Sequence, residues 1–169
     1  MCACVRSQGE NDIDAVFRSI GAHCEGLDNV LPPIELDAAA EHWGAVIEES
    51  GPRLDAILAC NLLHIAPYCV TEGVFRGAGR LLKPGAGHLI VYGPFMVDGM
   101  HTSPSNEAFD SRLVSQNADW GVRCATQLTA LAVLYGLAPI ERIPMPTNNF
   151  MLVFRKNNLD DQETAPSPS

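Results

Sequence analysis

Residues Leu54 to Phe95, LDAILACNLLHIAPYCVTEGVFRGAGRLLKPGAGHLIVYGPF, read as one strand–helix–strand crossover. Leu54 to Ala59 is a short apolar run with Asp55 near its start, and it breaks into Asn61 and His64 before Pro67. Such a run suits a strand buried on both faces, and Cys60 beside it reads as a small core residue. After Pro67 the apolar positions Val70, Val74, Ala78, Leu81 and Leu82 recur at helical spacing. Lys83-Pro84-Gly85 then ends the helix with a cation, a breaker and a turn former. A second apolar run, His88 to Tyr92, follows at once. Parallel strands need a crossover of this length, nearly always right-handed, so the two runs are expected as neighbours whose ends share one rim.

Outward from this unit, Asp12 is placed to cap a helix carrying Val16, Phe17 and Ile20 that ends near Gly26. Asn29 to Asp37 reads as a strand interrupted by Pro32-Pro33, which suits a sheet edge. Trp43, Val46 and Ile47 mark a second amphipathic helix closed by Ser50-Gly51-Pro52. Beyond Phe95 a polar loop, Met96 to Ser103, leads to Ser103-Pro104, an N-cap followed by proline at the first helical position. Ala108, Phe109 and Leu113 form the expected buried face of that helix. Ala125 to Tyr135 reads as a further helix burying Leu128, Leu131, Ala132 and Tyr135 and stopping at Gly136. Leu137 to Ile143 and Phe150 to Arg155 then form an antiparallel hairpin around PMPTNN. The polar tail from Asn157, ending in APSPS, has the composition of a disordered segment. The organisation is therefore an atypical segment 1–11, a domain 12–156 and a tail 157–169.

Strands alternating with helices and closing in an antiparallel hairpin describe a three-layer α/β fold. Ligands in such sheets sit outside the carboxyl ends of the strands. The unusual polar residues sort onto that rim. Asp37 follows the proline-interrupted strand, Asn61 and His64 the next, Asp98, His101 and Asn106 the run ending at Tyr92, and Asn148 and Asn149 the strand from Leu137.

At 169 residues and 47% hydrophobic, the chain has the size of one domain with a sizeable core. A net charge of −9 argues against a nucleic-acid groove or an anionic membrane as the main partner. No apolar run approaches the roughly 20 residues that span a bilayer, and a cytoplasmic protein is expected. The six cysteines lack the paired spacing of a zinc site, so no metal is expected and a reducing compartment is the economical reading.

The strand DAILACN, the segment GRLLKPGAGHLIVYGPF and the final hairpin resemble the second half of class I S-adenosylmethionine-dependent methyltransferases. More narrowly, NLLHIAP, YGPF, DGMHTSPSNEAFD, DWGVR and MPTNNFMLVFRK resemble the methyltransferase-like 26 family, over about residues 12 to 156. The resemblance implies a three-layer, Rossmann-like, mostly parallel sheet with a carboxyl-terminal antiparallel hairpin. It also implies S-adenosylmethionine as cofactor and a small polar methyl acceptor.

The departure from that pattern is at the amino end. Class I methyltransferases open with a strand and a glycine-rich turn of E-x-G-x-G-x-G type that admits the methionine part of the cofactor, and nothing before Asp12 supplies it. Gly77, Gly79, Gly85 and Gly87 surround the end of a helix and a turn instead. By resemblance the chain lacks the first strand and glycine loop and is truncated at its amino terminus. In the family fold that first strand is central, so its absence is expected to leave two strand edges unpaired. Buried backbone groups without partners cost about 1–3 kcal/mol each, and Cys2 to Arg6 is a candidate short strand for part of the gap.

The resemblance also assigns roles. An acidic residue after the second strand contacts the cofactor ribose, Asp14 being the better candidate and Asp12 the second, with helix capping as the alternative. Asp37 corresponds to the residue that meets the adenine amino group, again with capping as the alternative. Asn61 lines the cofactor and acceptor cleft. His64 and His101 are candidate bases, since an unperturbed imidazole titrates near neutral pH. Asp98 and Asn106 sit in a loop that can cover the acceptor, and Asn148 and Asn149 are candidate acceptor-binding amides, although paired asparagines also suit a turn. Methyl transfer demands mainly alignment, so little more is required of the cleft. Little or no activity is expected without the glycine loop. The alternative function is a non-catalytic interaction or dimerisation protein that uses the exposed sheet edge.

Overall fold

The computed structural model describes residues 3–5, 13–43 and 53–158. The predicted crossover is present. Strand β3 (Ala56–Cys60) leads through a 3-10 turn (Leu63–Ile65) into helix α2 (Tyr68–Leu81) and strand β4 (His88–Gly93). The two strands are parallel, with Ala56 opposite His88 and Cys60 opposite Tyr92. Val70, Val74, Ala78, Leu81 and Leu82 are all buried, as their spacing requires. Gly85 turns the chain at a φ of +72°, a conformation that costs glycine little, and Lys83 Nζ reaches Asp55 Oδ1 at 2.5 Å.

The final hairpin is antiparallel. Strand β8 (Asn149–Lys156) lies between β4 and β7 (Leu137–Met145), giving a four-stranded sheet in the order β3-β4-β8-β7. Helix α3 (Pro104–Gln116) starts at Ser103, whose Oγ accepts the Asn106 N–H at 3.2 Å. Helix α4 (Ala125–Leu134) follows, and Gly136 beyond its end has a φ of +68°. One apolar cluster joins α2 and α4 to the same face of the sheet through Phe75, Leu82, Leu89, Leu128 and Phe154. Phe75 and Phe154 meet edge to face at 5.2 Å. Each of these large side chains contributes about 1.5–3 kcal/mol by leaving water.

At the amino end, helix α1 (Ile13–His23) ends short of Gly26, whose φ is +80°. Strand β1 (Ala3–Val5) pairs in parallel with β2 (Ile34–Leu36), the proline-interrupted strand. Of the anticipated short strand Cys2 to Arg6, the described residues Ala3–Val5 form one, and it pairs with β2 and not with β3. The chain beyond β2 is fixed to α2 by close approach. A Cβ on Gly73 would lie 1.7 Å from Ala38 O, and one on Gly77 would lie 2.5 Å from the Trp43 ring. Arg76 Nη2 donates to Ala39 O and Ala40 O at 2.9 and 2.7 Å.

Three expectations are corrected and one pairing is new. β3 is buried on one face only: Ala59 is buried, whereas Leu58 is 65% exposed and Cys60 is exposed. Among the described residues no strand pairs with the outer edge of β3, and both packed helices lie on the other face. Helix α3 buries Asn106 and Leu113, with Phe109 half-buried and Ala108 exposed, because its inner face meets the hairpin tip. Tyr135 is only half-buried, since α4 ends one residue earlier. A two-residue parallel pair, β5 (Phe95–Met96) with β6 (Arg123–Cys124), was not foreseen. Val46, Ile47 and Ser50-Gly51-Pro52 of the predicted second helix, Asp12, and the tail from residue 159 lie outside the described residues.

Candidate functional site

The carboxyl ends of β3, β4 and β7 converge on a cavity of about 640 Å³, a size that suits a small molecule. Asn61 leaves β3 with a left-handed backbone (φ +51°), and its N–H donates to Tyr92 O at 2.9 Å. This conformation turns the chain into the short helix that carries His64. His64 is 7% exposed, and its ring meets Phe109 of α3 edge to face at 5.5 Å. Burial, reinforced by the nearby Arg123 charge, lowers its pKa to about 4, so the imidazole is neutral at neutral pH.

The opposite wall is the β7–β8 tip, where Thr147 and Asn148 both have positive φ, +60° and +59°. Strained non-glycine positions persist only where surrounding contacts hold them. Asn106 provides that hold: its Nδ2 donates to Asn148 O at 2.9 Å and to Thr102 Oγ1 at 3.1 Å. Asn148 Nδ2 donates to Ser105 Oγ at 3.2 Å. Asn149 Nδ2 donates to Tyr92 Oη and Thr147 Oγ1 at 3.0 and 3.2 Å, which fixes the tip to β4. Asn61, His64, Asn106, Asn148 and Asn149, predicted from separate strand ends, thus line one cavity.

The other predicted residues lie elsewhere. Asp98 Oδ1 accepts from Thr126 Oγ1 at 2.8 Å, and the Asp98 N–H donates to the same hydroxyl at 3.1 Å. With two backbone bonds between Val97 and Met100, this secures the loop to the start of α4. His101 Nε2 faces Asp110 Oδ2 at 3.4 Å, and neither residue lines the cavity. Asp37 is exposed at the end of β2, one carboxylate oxygen accepting the Ala39 N–H at 2.9 Å across a turn; no helix starts there for it to cap, and its second oxygen has no partner among the described residues. Asp14 is exposed in the first turn of α1. The sequence reading missed Phe109 and Arg112 of α3, Ser105, Thr147 and Pro94 as lining residues. Their signal was the i, i+3 spacing of Phe109 and Arg112, which places both on one helix face.

A family profile described as "Protein of unknown function (DUF938)" matches residues 5–156. The chain belongs to this family. Solved structures with the same fold include an O-methyltransferase family protein from Burkholderia thailandensis (19% identity, TM-score 0.65), covering 87% of this chain and 41% of that one. An O-methyltransferase family 2 protein from Planctomyces limnophilus in complex with apigenin is 16% identical, with a TM-score of 0.67 and coverage of 91% and 43%. Human N-acetylserotonin methyltransferase in complex with SAM is 13% identical, with a TM-score of 0.57 and coverage of 79% and 36%. This DUF938 family member therefore has a class I methyltransferase-like, Rossmann-like fold, and it spans about two fifths of the length of these structures.

The described residues fit S-adenosylmethionine in part only. Asp37 keeps one carboxylate oxygen without a partner among the described residues, and Asn61 lines the cavity. The glycines at the end of α2 and before β4 are taken up by packing: a Cβ on Gly79 would meet Tyr135 O at 2.4 Å, one on Gly85 Asn158 Oδ1 at 2.0 Å, and one on Gly87 Lys83 N at 2.6 Å. None is left to form a turn around the methionine end. No group of three or more His, Cys, Asp or Glu that would hold a metal occurs among the described residues. No helix among them is long and apolar enough to cross a membrane.

Proposed function

We propose that this chain carries the acceptor-binding part of an S-adenosylmethionine-dependent methyltransferase-like site, of the methyltransferase-like 26 kind, for a small polar acceptor. The observation that carries the reading is the cavity at the strand ends of a methyltransferase-like sheet, walled by Asn61, His64, Asn106, Asn148 and Asn149. In this reading the amides orient the acceptor, and the neutral His64 imidazole accepts a hydrogen bond from its hydroxyl or amine. His101 serves as a second base only if the loop at Asp98 moves it towards the cavity. Asp37 binds the adenine amino group with its open carboxylate oxygen, and Asp14 or Asp12 the ribose. Among the described residues no strand pairs with the outer edge of β3 and no glycine-rich turn follows a strand, so the part of the site for the methionine end is incomplete in this reading. Methyl transfer by this chain alone is therefore absent or severely reduced. Calorimetric titration with S-adenosylmethionine tests the reading: weak saturable binding that Asp37→Ala weakens about tenfold supports it, the loss of one charge-assisted hydrogen bond. No binding by a folded chain overturns it.

A second reading is favoured by one observation, the unpaired outer edge of β3 with Leu58 65% exposed beside it. There the chain is a non-catalytic interaction protein that adds a strand from a partner or a second copy. A monodisperse monomer in light scattering counts against the dimeric form.

A further inference from the structure

The chain carries a net charge of −9, yet the cavity at the strand ends has no carboxylate in its lining and one cation, Arg112. Arg112 has no acidic partner within ion-pair distance among the described residues. Arg112 is exposed, and its guanidinium lies 5.7 Å from the centroid of the Phe109 ring, a contact that does not neutralise it. Two amides of the lining, Asn106 on the same helix as Arg112 and Asn149 at the β7–β8 tip, are set up for the opposite polarity. Both N–H donors of Asn106 and both of Asn149 are spent within the protein, on Thr102 and Asn148 and on Tyr92 and Thr147. Their carbonyl oxygens have no partner and remain as acceptors. The lining thus offers an exposed cation together with hydrogen-bond acceptors.

We propose that the cavity binds a small carboxylic acid bearing a hydroxyl or amine, its carboxylate on Arg112 and its O–H or N–H on the Asn106 and Asn149 carbonyl oxygens. An arginine fork pairs with a carboxylate through two parallel hydrogen bonds, which selects the acid over its neutral amide. The hydroxyl or amine is then the atom held against His64. This deepens the acceptor-site reading and rests on it for the role of the ligand, while binding of the acid requires no cofactor.

The test is a nuclear magnetic resonance titration of the full chain, without S-adenosylmethionine, with matched pairs of probes. These are 4-hydroxybenzoate with 4-hydroxybenzamide, lactate with lactamide, and glycine with glycinamide, with inorganic phosphate as a further arm. The expected result is that at least one acid saturably shifts the side-chain amide signals of Asn106 and Asn149 and binds at least about fivefold tighter than its amide. Arg112→Gln should remove that preference while the folded spectrum is retained, and Arg112→Lys should keep part of it. Equal binding of acid and amide, a preference that survives Arg112→Gln, phosphate binding as tight as the best acid, or no shift with any acid overturns the proposal. Because the cofactor is absent, this result can fail while the S-adenosylmethionine titration succeeds, and the reverse.

Discussion

His64 shows how burial changes what a residue can do. In water its imidazole would be partly protonated near pH 6.5, but enclosed beside Phe109 and near Arg123 it titrates at about 4. A base of that strength is a hydrogen-bond partner at neutral pH more than a proton store. The same shift predicts a pH dependence of stability. The folded pKa lies below the unfolded one, so between pH 6.5 and 4 the unfolded chain binds the extra proton. The stabilisation is complete above about 6.5 and is lost as pH falls to about 4, amounting to the order of 3 kcal/mol. Thermal melts of the wild type and His64→Gln across this window should converge as pH falls, and parallel curves would show that the ring is not buried neutral. At this scale the sequence was legible where polarity broke a pattern. Asn61, Asn148 and Asn149 stood out after apolar runs. Arg112 did not, because an arginine on a helix is ordinary until its neighbours are known.

Among the elements, α2 does the most to organise the molecule. Its apolar stripe faces the sheet, while Gly73 and Gly77 admit the chain that follows β2. With Ala38 O where a Cβ would be, Gly73→Ala must displace backbone. We expect a loss of about 1–3 kcal/mol or more in chemical denaturation, with α2 itself favoured by alanine. A variant as stable as the parent would show that this approach is not close. The crossover was readable because helical periodicity, stop signals and strand length agreed. The two-residue pair β5–β6 has no periodicity to read. The burial of β3 was overstated because whether Leu58 is covered depends on a layer that the strand's own residues do not encode. The α3 face was misread for a related reason: Asn106, a polar residue, is the one that docks on the hairpin tip.

The whole molecule joins a sheet covered by helices α2 and α4 on one face, a pair of strands held beside it through α2, and a cavity at the shared rim. In the proposed reading it differs from a complete methyltransferase-like site in the cradle for the methionine end, because Gly79, Gly85 and Gly87 are all closely approached by neighbouring atoms. The fold class followed from element order. The measurement that tests this most directly is calorimetric titration of the full chain with S-adenosylmethionine and with 5′-methylthioadenosine, which keeps the adenosine and lacks the amino-acid end. The account predicts weak binding of both with dissociation constants within about threefold, a difference below about 1 kcal/mol, and equal weakening of both by Asp37→Ala. S-adenosylmethionine binding a hundredfold or more tighter than 5′-methylthioadenosine would contradict it, because the methionine end would then have a cradle, and binding of neither would remove the adenosine site.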